Sequence, residues 1–499
     1  MRILFIHAGT ESLGIEYLSS ALKKEGYDVC LFYEPMIFRS FRMHMPLFYR
    51  DRISYIAKES VDMCPDLIGF STESDYYGWA IGVARQIKKI ANIPIIFGGI
   101  HPSSVPEIVI RESAVDYVCI GEGEKTIVEL ANCLSCNKGV DKILGIWYKR
   151  DGEIVRNKLR DLNQNLDDLS FPDKDLFYEK FPGFVNSVYT IVTGRGCCNN
   201  CTYCYNSVLR KMFSGRGKYL RRRSVKNVIE ELSYSKEKYD YNRVTFCDDI
   251  FTVDANWMRE FIELYKDKIN LPFYCAAHPS FIDKEKVRLL VDGGCAVINL
   301  GIQTIDENTR RDFLHRFGSN EDVVNAIEML KQTKIFLFTN FIFGLPNQEI
   351  NELKRIVLFC ISHKTDFHDV NWLRYYPKTE ILNIAEAKGI ITQEFVENIN
   401  ASTEFSPYAH GGHGFTAERS KLRNLIFISH FLPAAITRSL LSLGVYRFLP
   451  SFNLRNPTVI LRLLQKKYFF CKKNPYPNFS LKDIFSYYLH FTIFAQLRK

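Results

Sequence analysis

The chain has 499 residues, of which 46% are hydrophobic, so it is long enough for two to four domains and has the composition of an ordinary soluble protein. Its net charge of +9 is uneven: residues 419–499 hold 14 Lys and Arg against one acid, or +13, whereas residues 1–418 hold 51 basic and 55 acidic residues, or −4. Because the basic charge is confined to the tail, the composition argues against a general nucleic-acid enzyme, and we expect no nucleic-acid partner.

The first residues predict a strand rather than a secretion signal, because Met1–Ile6 lacks the apolar h-region of a signal peptide. The sequence contains 14 cysteines, and free thiols are typical of a reducing compartment. We therefore expect a cytoplasmic protein.

Residues 1–139 alternate between strand and helix patterns. The strand-like runs are Ile3–Ile6, Val29–Tyr33, Leu67–Ser71, Ile95–Phe97 and Tyr117–Ile120, and the helical patterns include Gly14–Glu25 and Tyr76–Ile90. This alternation predicts an α/β, doubly wound, Rossmann-like parallel sheet that binds ligands at the carboxyl ends of its strands. Polar or glycine-rich loops follow four of these strands, at His7–Gly14, Ser71–Ser74, Gly98–Pro102 and Gly121–Glu124. Taken singly, each loop reads as an ordinary turn.

Residues 140–184 form a predicted linker. It contains a hairpin with an Asp-Gly turn at Asp151-Gly152, followed by the extended polar segment Leu166–Pro172.

The most informative motif is C-x3-C-x2-C, formed by Cys197, Cys201 and Cys204 on a loop after the strand-like run Val188–Val192. Three thiolates on one tight loop can hold three irons of a [4Fe–4S] cluster and leave the fourth iron without a protein ligand. Tyr203 is placed to cover such a cluster. Structural zinc is the alternative, but it requires four ligands, and Cys198 is a poor fourth because it is adjacent to Cys197.

The strand–helix alternation resumes in residues 185–395. The predicted strands are Val188–Val192, Arg243–Phe246, Phe273–Ala276, Val297–Gly301, Phe336–Phe343 and Asp369–Leu373. Six such units predict a partial TIM-type (β/α)6 barrel with its chemistry at the carboxyl ends of the strands.

The basic tail, residues 396–499, is predicted to be mainly helical. Its helical segments are Leu422–Phe431, Ala434–Leu449, Val459–Phe470 and Ile484–Leu497. Its longest uncharged apolar stretches have 14 residues, which is fewer than the ~20 needed to span a bilayer. Two interpretations stay open: a helical lid on the barrel, or peripheral attachment to the anionic inner face of a membrane.

The cysteine motif, with an aromatic residue before its last cysteine, resembles the signature of the radical S-adenosylmethionine (SAM) superfamily. Together with Gly98-Gly99-x-His101-Pro102 and Gly121-Glu122-Gly123-Glu124, it resembles the B12-binding subfamily, and the resemblance covers residues 1 to about 395. It implies that SAM chelates the open iron and is cleaved reductively to a 5′-deoxyadenosyl radical. A reductant protein of flavodoxin or ferredoxin type is the implied partner.

The resemblance also implies the residues that bind SAM. Asp248 and Asp249 follow the second barrel strand, where the superfamily receives the SAM amino group, although both could instead cap the next helix. His278 stands where the subfamily often has Arg, so its role is open. The implied SAM-binding residues are Tyr203, Asp248, Asp249, Gln303, Asn340 and Gly344.

Cobalamin is the third implied cofactor, and its binding residues lie in the loops of the first domain. The first loop lacks the D-x-H-x-x-G motif of the mutases, so any cobalt has no lower His ligand from that motif. A degenerate domain that binds no corrin also stays open. The implied cobalamin-binding residues are Ser12, Leu13, Gly14, Ser71, Thr72, Gly98, Gly99, His101, Gly121, Glu122 and Gly123.

The sequence therefore favours a cobalamin-dependent radical SAM enzyme that methylates an unactivated carbon. A lipid-like substrate would suit the basic tail. Cyclisation, rearrangement or oxidation without methyl transfer is the alternative within enzymes, and a non-catalytic cobalamin- or metal-binding regulator is the alternative of another class.

Overall fold

The computed structural model describes residues 1–34, 52–180, 188–402, 414–455, 457–458 and 461. The chain divides into two compact units. The first contains residues 1–184, 203–222 and 375–409, and the second contains residues 185–202, 223–374 and 410–499.

The N-terminal part of the first unit is built around one seven-stranded sheet. Its elements in chain order are β1 (Arg2–Ala8), α1 (Leu13–Lys24), β2 (Asp28–Glu34), α2 (Ile53–Asp62), β3 (Leu67–Ser71), α3 (Ser74–Ile90), β4 (Ile95–Gly98), α4 (Ile100–Ser104), α5 (Pro106–Arg111), β5 (Tyr117–Cys119), α6 (Glu124–Ser135), β6 (Ile146–Arg150), β7 (Glu153–Arg156) and α7 (Asp175–Tyr178). The strand order is β2-β1-β3-β4-β5-β6-β7, with β1 to β5 parallel. The predicted doubly wound sheet is confirmed.

The apolar runs of the central strands explain this sheet, since Ile3, Leu4, Phe5 and Ile6 are all at most 2% exposed. The predicted hairpin is also present. β6 and β7 pair antiparallel, and Asp151 and Gly152 adopt φ values of 51° and 82°, as a tight hairpin turn requires. Because β6 pairs with β5, the hairpin extends the first sheet.

The middle of the chain contains the second sheet. Its elements are β8 (Tyr189–Ile191), β9 (Gly194–Arg195), α8 (Tyr205–Met212), β10 (Arg221–Arg222), α9 (Val225–Lys238), β11 (Val244–Phe246), α10 (Ala255–Lys268), β12 (Phe273–Ala277), α11 (Lys284–Asp292), β13 (Cys295–Gln303), a π-helical turn (Thr309–Phe313), α12 (Asn320–Lys331), β14 (Phe336–Phe343), α13 (Ile350–Ser362) and β15 (Phe367–Trp372). Of these, α8 and β10 belong to the first unit.

Six of these strands form one parallel sheet in the order β8-β11-β12-β13-β14-β15. Because each strand neighbours the next in sequence, with a helix between most pairs, the predicted six-stranded partial barrel is confirmed. Its core is rich in aromatic rings: Phe246 packs edge-on against Phe261 and Phe273, at centroid distances of 5.4 and 5.3 Å.

The C-terminal elements are α14 (Glu380–Ala387) and α15 (Gln393–Asn400) in the first unit, and α16 (Ala417–Ser429) and α17 (Ala434–Ser442) in the second. α16 packs on the last barrel strand, where the Phe427 ring stacks on Phe367 at 5.8 Å. Arg455 forms a buried two-pronged ion pair with Asp369, at 2.6 and 2.8 Å. The predicted helices Val459–Phe470, apart from Leu461, and Ile484–Leu497 lie outside the described residues. Among the helices that the structure describes, none is long and apolar enough to cross a bilayer.

Candidate cofactor sites

The cysteine loop connects β8 to α8. Cys201 is buried, and Cys197 and Cys204 are half-buried. Cys197 and Cys201 belong to the second unit, whereas Cys204 is the N-cap residue of α8 in the first unit.

Both ends of the loop within the second unit are fixed by hydrogen bonds. The Thr193 backbone N–H and hydroxyl donate to the two carboxylate oxygens of Asp248, at 3.1 and 2.7 Å. The Thr202 backbone N–H donates to the Leu314 carbonyl at 3.1 Å, and its hydroxyl donates to the Phe313 carbonyl at 2.7 Å. The loop is therefore anchored to the end of β11 and to the turn that follows β13.

The residues of this loop fit an iron–sulfur cluster. Arg316 Nη1 lies 3.6 Å from the Cys201 sulfur, and Asn206 Nδ2 lies 3.6 Å from the Cys204 sulfur, so two sulfurs of the motif have hydrogen-bond donors. The Asn199 side chain is 4% exposed, and within the described residues neither of its amide atoms has a hydrogen-bond partner. A buried, unsatisfied amide between the first two cysteines fits a group that binds there.

The thiol chemistry of the loop also bears on metal binding. The hydrogen bond between Cys197 and Cys198, together with burial and the charge of Asp249, raises the pKa of the Cys197 thiol. Iron must therefore displace a proton from Cys197. In the described part of the chain, no group of three or more His, Cys, Asp or Glu side chains could hold a single metal ion. A [4Fe–4S] cube does not need such a group, because each thiolate binds a different iron.

The predicted SAM-binding residues of the second unit lie at the carboxyl ends of β11, β13 and β14, except Asn340, which lies inside β14. Asp248 is buried and bonded to Thr193, whereas Asp249 is exposed. Gln303 ends β13 with the unusual φ of 72°, at a register shift between Gly301 and Gln303. Gly344 has φ of 84°, and its N–H donates to Gln348 at 2.8 Å. Tyr203 was also predicted to bind SAM. It belongs to the first unit and is half-buried.

Asn340 is part of a hydrogen-bonded ladder across three barrel strands. Its Nδ2 donates to Asn299 on β13, and its Oδ1 accepts a bond of 3.3 Å from Asn371 on β15. Asn299 and Asn371 were not among the predicted site residues. Their sequence signal is an amide within a predicted barrel strand, which is costly to bury unless the amide is paired.

His278, at the end of β12, is 2% exposed. Its Nδ1 accepts a bond of 3.2 Å from the Ser280 N–H, and its Nε2 has no partner in the described residues. Burial, together with the charges of Arg316 and Arg310, lowers the pKa of His278 to about 2, so the ring is neutral. Because Nδ1 accepts, Nε2 carries the proton of this neutral ring, so an uncharged donor stands where the subfamily often has Arg.

The predicted cobalamin-binding residues lie at the carboxyl ends of β1, β3, β4 and β5 of the first sheet. Ser12 caps α1 through a hydrogen bond from the Ile15 N–H, at 3.4 Å, and is followed by Leu13 and Gly14 in that helix. Ser71 ends β3 and Gly98 ends β4. Gly121 has φ of 86°, and Gly123 is the N-cap residue of α6. Because these strands are parallel neighbours, the sheet brings the predicted residues to one edge.

Gly99 lets the loops after β3 and β4 pack closely, and polar atoms beside it fit a bound corrin. Gly99 has φ of 96°, and a Cβ there would lie 2.7 Å from the backbone N and O of Thr72. The Thr72 hydroxyl and His101 Nε2 are buried without hydrogen-bond partners among the described residues. Burial lowers the pKa of His101 to about 3, so this unpaired ring atom belongs to a neutral imidazole.

The structure also shows first-unit contacts that sequence reasoning missed. Ser74 Oγ lies 2.9 Å from His101 Nδ1 and is also hydrogen-bonded to the hydroxyl of Tyr205, which directly follows Cys204. Glu122, predicted to bind cobalamin, accepts hydrogen bonds of 2.8 Å from Arg221 and from the Asn163 N–H. These partners lie far apart in sequence, so only the position of Tyr205 next to Cys204 offered a local signal.

Comparisons with known proteins agree with this two-part organisation. A family model described as the B12 binding domain matches residues 6–131, and one described as the radical SAM superfamily matches residues 191–360. An uncharacterized methyltransferase of Pyrococcus horikoshii is 27% identical over 452 residues, which are 87% of this chain and 93% of that protein. Cytidylyl-2-hydroxyethylphosphonate methyltransferase of Streptomyces wedmorensis is 24% identical over 381 residues, which are 68% and 69% of the two chains.

Two solved structures share the fold. The cobalamin-dependent SAM radical enzyme OxsB, with aqua-cobalamin and SAM bound, has a TM-score of 0.65 at 17% identity and covers 99% of this chain and 83% of its own. The radical SAM methyltransferase TsrM of Kitasatospora setae, with tryptophan and a SAM analogue bound, has a TM-score of 0.63 at 19% identity and covers 78% and 77%.

Proposed function

Because the chain belongs to the B12-binding-domain branch of the radical SAM superfamily, we propose that it methylates an unactivated carbon of a small-molecule substrate. The two family matches confirm the family and the enzyme class that the sequence predicted. They also confirm the three predicted cofactors, which are a [4Fe–4S] cluster, SAM and cobalamin. Methyl transfer and the identity of the substrate are our proposal.

The observation that carries the proposal is that one chain joins a cysteine loop suited to a cluster with a strand edge suited to a corrin. Relatives that cover most of the chain are named methyltransferases, which supports methyl transfer over other radical chemistry. When bound, the cluster and SAM supply radical hydrogen abstraction, and cobalamin supplies the methyl group.

The chain's own residues have distinct tasks in this proposal. Cys197, Cys201 and Cys204 would hold three irons, which would leave the fourth iron open to SAM. We assign the polar groups of SAM to Asp249 and Asn340, and the adenine to the backbone of Gly344, which has a positive φ. In the first unit, the Thr72 hydroxyl and His101 Nε2 would offer hydrogen bonds to the corrin, and Gly99 lets the loops after β3 and β4 pack closely.

Anaerobic reconstitution of the full chain tests the cluster assignment. The parent protein should bind ~4 Fe and release 5′-deoxyadenosine from SAM under a reductant. Cys201→Ala should lose both properties, whereas the matched control Cys198→Ala should keep both. Iron loss in Cys198→Ala together with retention in Cys201→Ala would contradict the ligand assignment.

A second experiment separates methyl transfer from a plain radical reaction. The chain is loaded anaerobically with hydroxocobalamin, desalted, and examined for corrin absorbance. It is then incubated with SAM carrying an isotopically labelled methyl group. We expect retained corrin that acquires the label. Formation of 5′-deoxyadenosine by a protein that retains no corrin would favour cyclisation, rearrangement or oxidation instead.

We also propose that the basic C-terminal region touches an anionic membrane, which would suit a lipid-like substrate. Leu443, Phe448 and Phe452 are 77%, 89% and 66% exposed, and they lie close in sequence to Arg438 and Arg447. Exposed apolar side chains interspersed with cations are typical of a surface that inserts into an anionic lipid interface.

Flotation of the full chain with vesicles tests this interface. The protein should float with vesicles of equal parts phosphatidylcholine and phosphatidylglycerol, and not with phosphatidylcholine alone. The double variant Leu443→Ser, Phe448→Ser should sediment. The control Tyr234→Ser, at an exposed aromatic residue of α9, should float like the parent. Equal flotation of the double variant would remove the proposal.

A further inference from the structure

Arg316 is a buried arginine, 8% exposed, in the turn that follows β13. Its Nη2 donates to the Gly301 carbonyl at 2.7 Å, and its Nη1 lies 3.6 Å from the sulfur of Cys201, which is within hydrogen-bond distance for a sulfur acceptor. The two contacts direct the guanidinium from the end of β13 to the central cysteine of the motif.

The same turn also holds the cysteine loop through the backbone. Thr202, the neighbour of Cys201, donates its N–H to the Leu314 carbonyl and its hydroxyl to the Phe313 carbonyl. The Arg316 N–H donates to the Arg310 carbonyl at 3.0 Å, which fixes the C-terminal end of the turn. The position of Arg316 relative to Cys201 is thus set by three hydrogen bonds to main-chain carbonyls and does not depend on the guanidinium alone.

The charge of Arg316 acts on its buried surroundings. After burial itself, Arg316 is the largest cause of the lowered pKa of His278. Electrostatic effects are stronger away from water, so a cation that shifts a nearby imidazole will also act on a charged sulfur that it contacts.

We infer that Arg316 is a positioning residue that makes one-electron reduction of the cluster easier by donating to the sulfur of Cys201. The inference rests on the proposed cluster site. Reduction adds one negative charge to the cluster and its thiolates and transfers no proton. The electron comes from a low-potential reductant, such as a flavodoxin- or ferredoxin-type protein or dithionite. A cationic donor on a ligand sulfur stabilises the more negative, reduced form and raises its reduction potential.

Arg310 provides a matched control. It is also buried, 2% exposed, and lies in the same turn. Its guanidinium binds the Thr304 carbonyl, the Gly318 carbonyl and the side chain of Asn320, and does not hydrogen-bond to the sulfur of Cys201. Arg316→Gln removes the charge, Arg316→Lys keeps the charge but loses the two-pronged geometry, and Arg310→Lys makes the same change at the control position.

The test is an anaerobic redox titration of the reconstituted full chains, followed by electron paramagnetic resonance of the reduced cluster. At a fixed potential, Arg316→Gln should lower the ratio of reduced to oxidised cluster by about tenfold, which corresponds to about 59 mV for a one-electron couple. Arg316→Lys should fall between Arg316→Gln and the parent, and Arg310→Lys should match the parent.

Two outcomes would overturn the inference. The first is a fully loaded Arg316→Gln protein that titrates like the parent. The second is loss of iron from both Arg316 variants while Arg310→Lys stays loaded, because Arg316 would then hold the cluster rather than tune it. A parent protein that binds no iron at all would instead refute the proposed cluster, so the two failures are distinguishable.

Discussion

Both carboxylate oxygens of Asp248 accept hydrogen bonds from Thr193, one from its backbone N–H and one from its hydroxyl. This pair ties the end of β11 to the beginning of the cysteine loop. An acid that the sequence predicts to receive the amino group of SAM is therefore already engaged in holding the loop, while its neighbour Asp249 is exposed.

Substitution at the two aspartates should consequently have different effects. Asp248→Ala removes two buried hydrogen bonds that a carboxylate accepts from Thr193, which costs about 3 kcal/mol or more. It should lower both the thermal midpoint and the iron content after reconstitution. Asp249→Ala should leave both unchanged and weaken SAM binding, measured by calorimetry on the cluster-loaded protein. Equal iron loss in both variants would argue against separate roles.

Substitution of Gly99 tests whether cobalamin binds at the carboxyl ends of β3 and β4, and the test does not depend on turnover. A Cβ at residue 99 would meet the backbone of Thr72 at 2.7 Å, and φ of 96° is unfavourable for alanine. Gly99→Ala should therefore displace the loop and reduce the affinity for hydroxocobalamin by tenfold or more, as read from corrin absorbance after desalting.

The control for Gly99→Ala is Gly26→Ala. Gly26 also has positive φ, of 84°, but no atom lies within 4 Å of the position where its Cβ would be built. It should keep parental cobalamin binding. If Gly99→Ala binds cobalamin like the parent, the edge formed by β3 and β4 is not the corrin site.

Lys174 should be a large contributor to the stability of the first unit. Its ammonium, 1% exposed, bonds to Glu11 at 2.6 Å and to Glu16 at 2.8 Å, and both carboxylates are almost completely buried. Lys174→Met would leave two buried acids without their cation, which costs about 3–5 kcal/mol. The thermal midpoint of the full chain should fall accordingly.

Lys23→Met is the matched surface control. Lys23 pairs with Asp173, but its side chain is 44% exposed, so its loss should cost at most about 1 kcal/mol. A similar fall in the thermal midpoint of both variants would contradict the assignment of a structural role to the buried lysine.

The sequence predicted the sheets well because their strands are continuous apolar runs. Phe336–Phe343 was predicted with the bounds that the structure shows, whereas Val297–Gly301 extends to Cys295–Gln303. The cysteine loop was evident because all of its chemistry lies within eight residues. The contacts that organise the sites could not be predicted, because Arg316 is 115 residues from Cys201 and Lys174 is 163 residues from Glu11. No local pattern marks a partner at that distance.

The last prediction concerns pH and uses His368, a buried residue of β15. Its Nδ1 is 2.6 Å from the Thr339 hydroxyl and its Nε2 is 3.1 Å from the Cys360 carbonyl, so the buried ring is held in its neutral form. Burial lowers the pKa of His368 to about 3, against about 6.5 in an unfolded chain. Between these values the unfolded chain binds a proton that the folded protein does not.

Stability from His368 is therefore complete above about pH 6.5 and is lost as the pH falls toward 3. Lowering the pH from about 7.5 to about 5.5 should cost about 1.4 kcal/mol at this residue alone. The measurement is the thermal midpoint of the parent and of His368→Gln, each at both pH values. The variant should be less stable at the higher pH but should lose less on acidification than the parent. If both proteins lose the same amount, His368 is protonated in the folded state or titrates like an exposed histidine, and the neutral, doubly hydrogen-bonded ring is refuted.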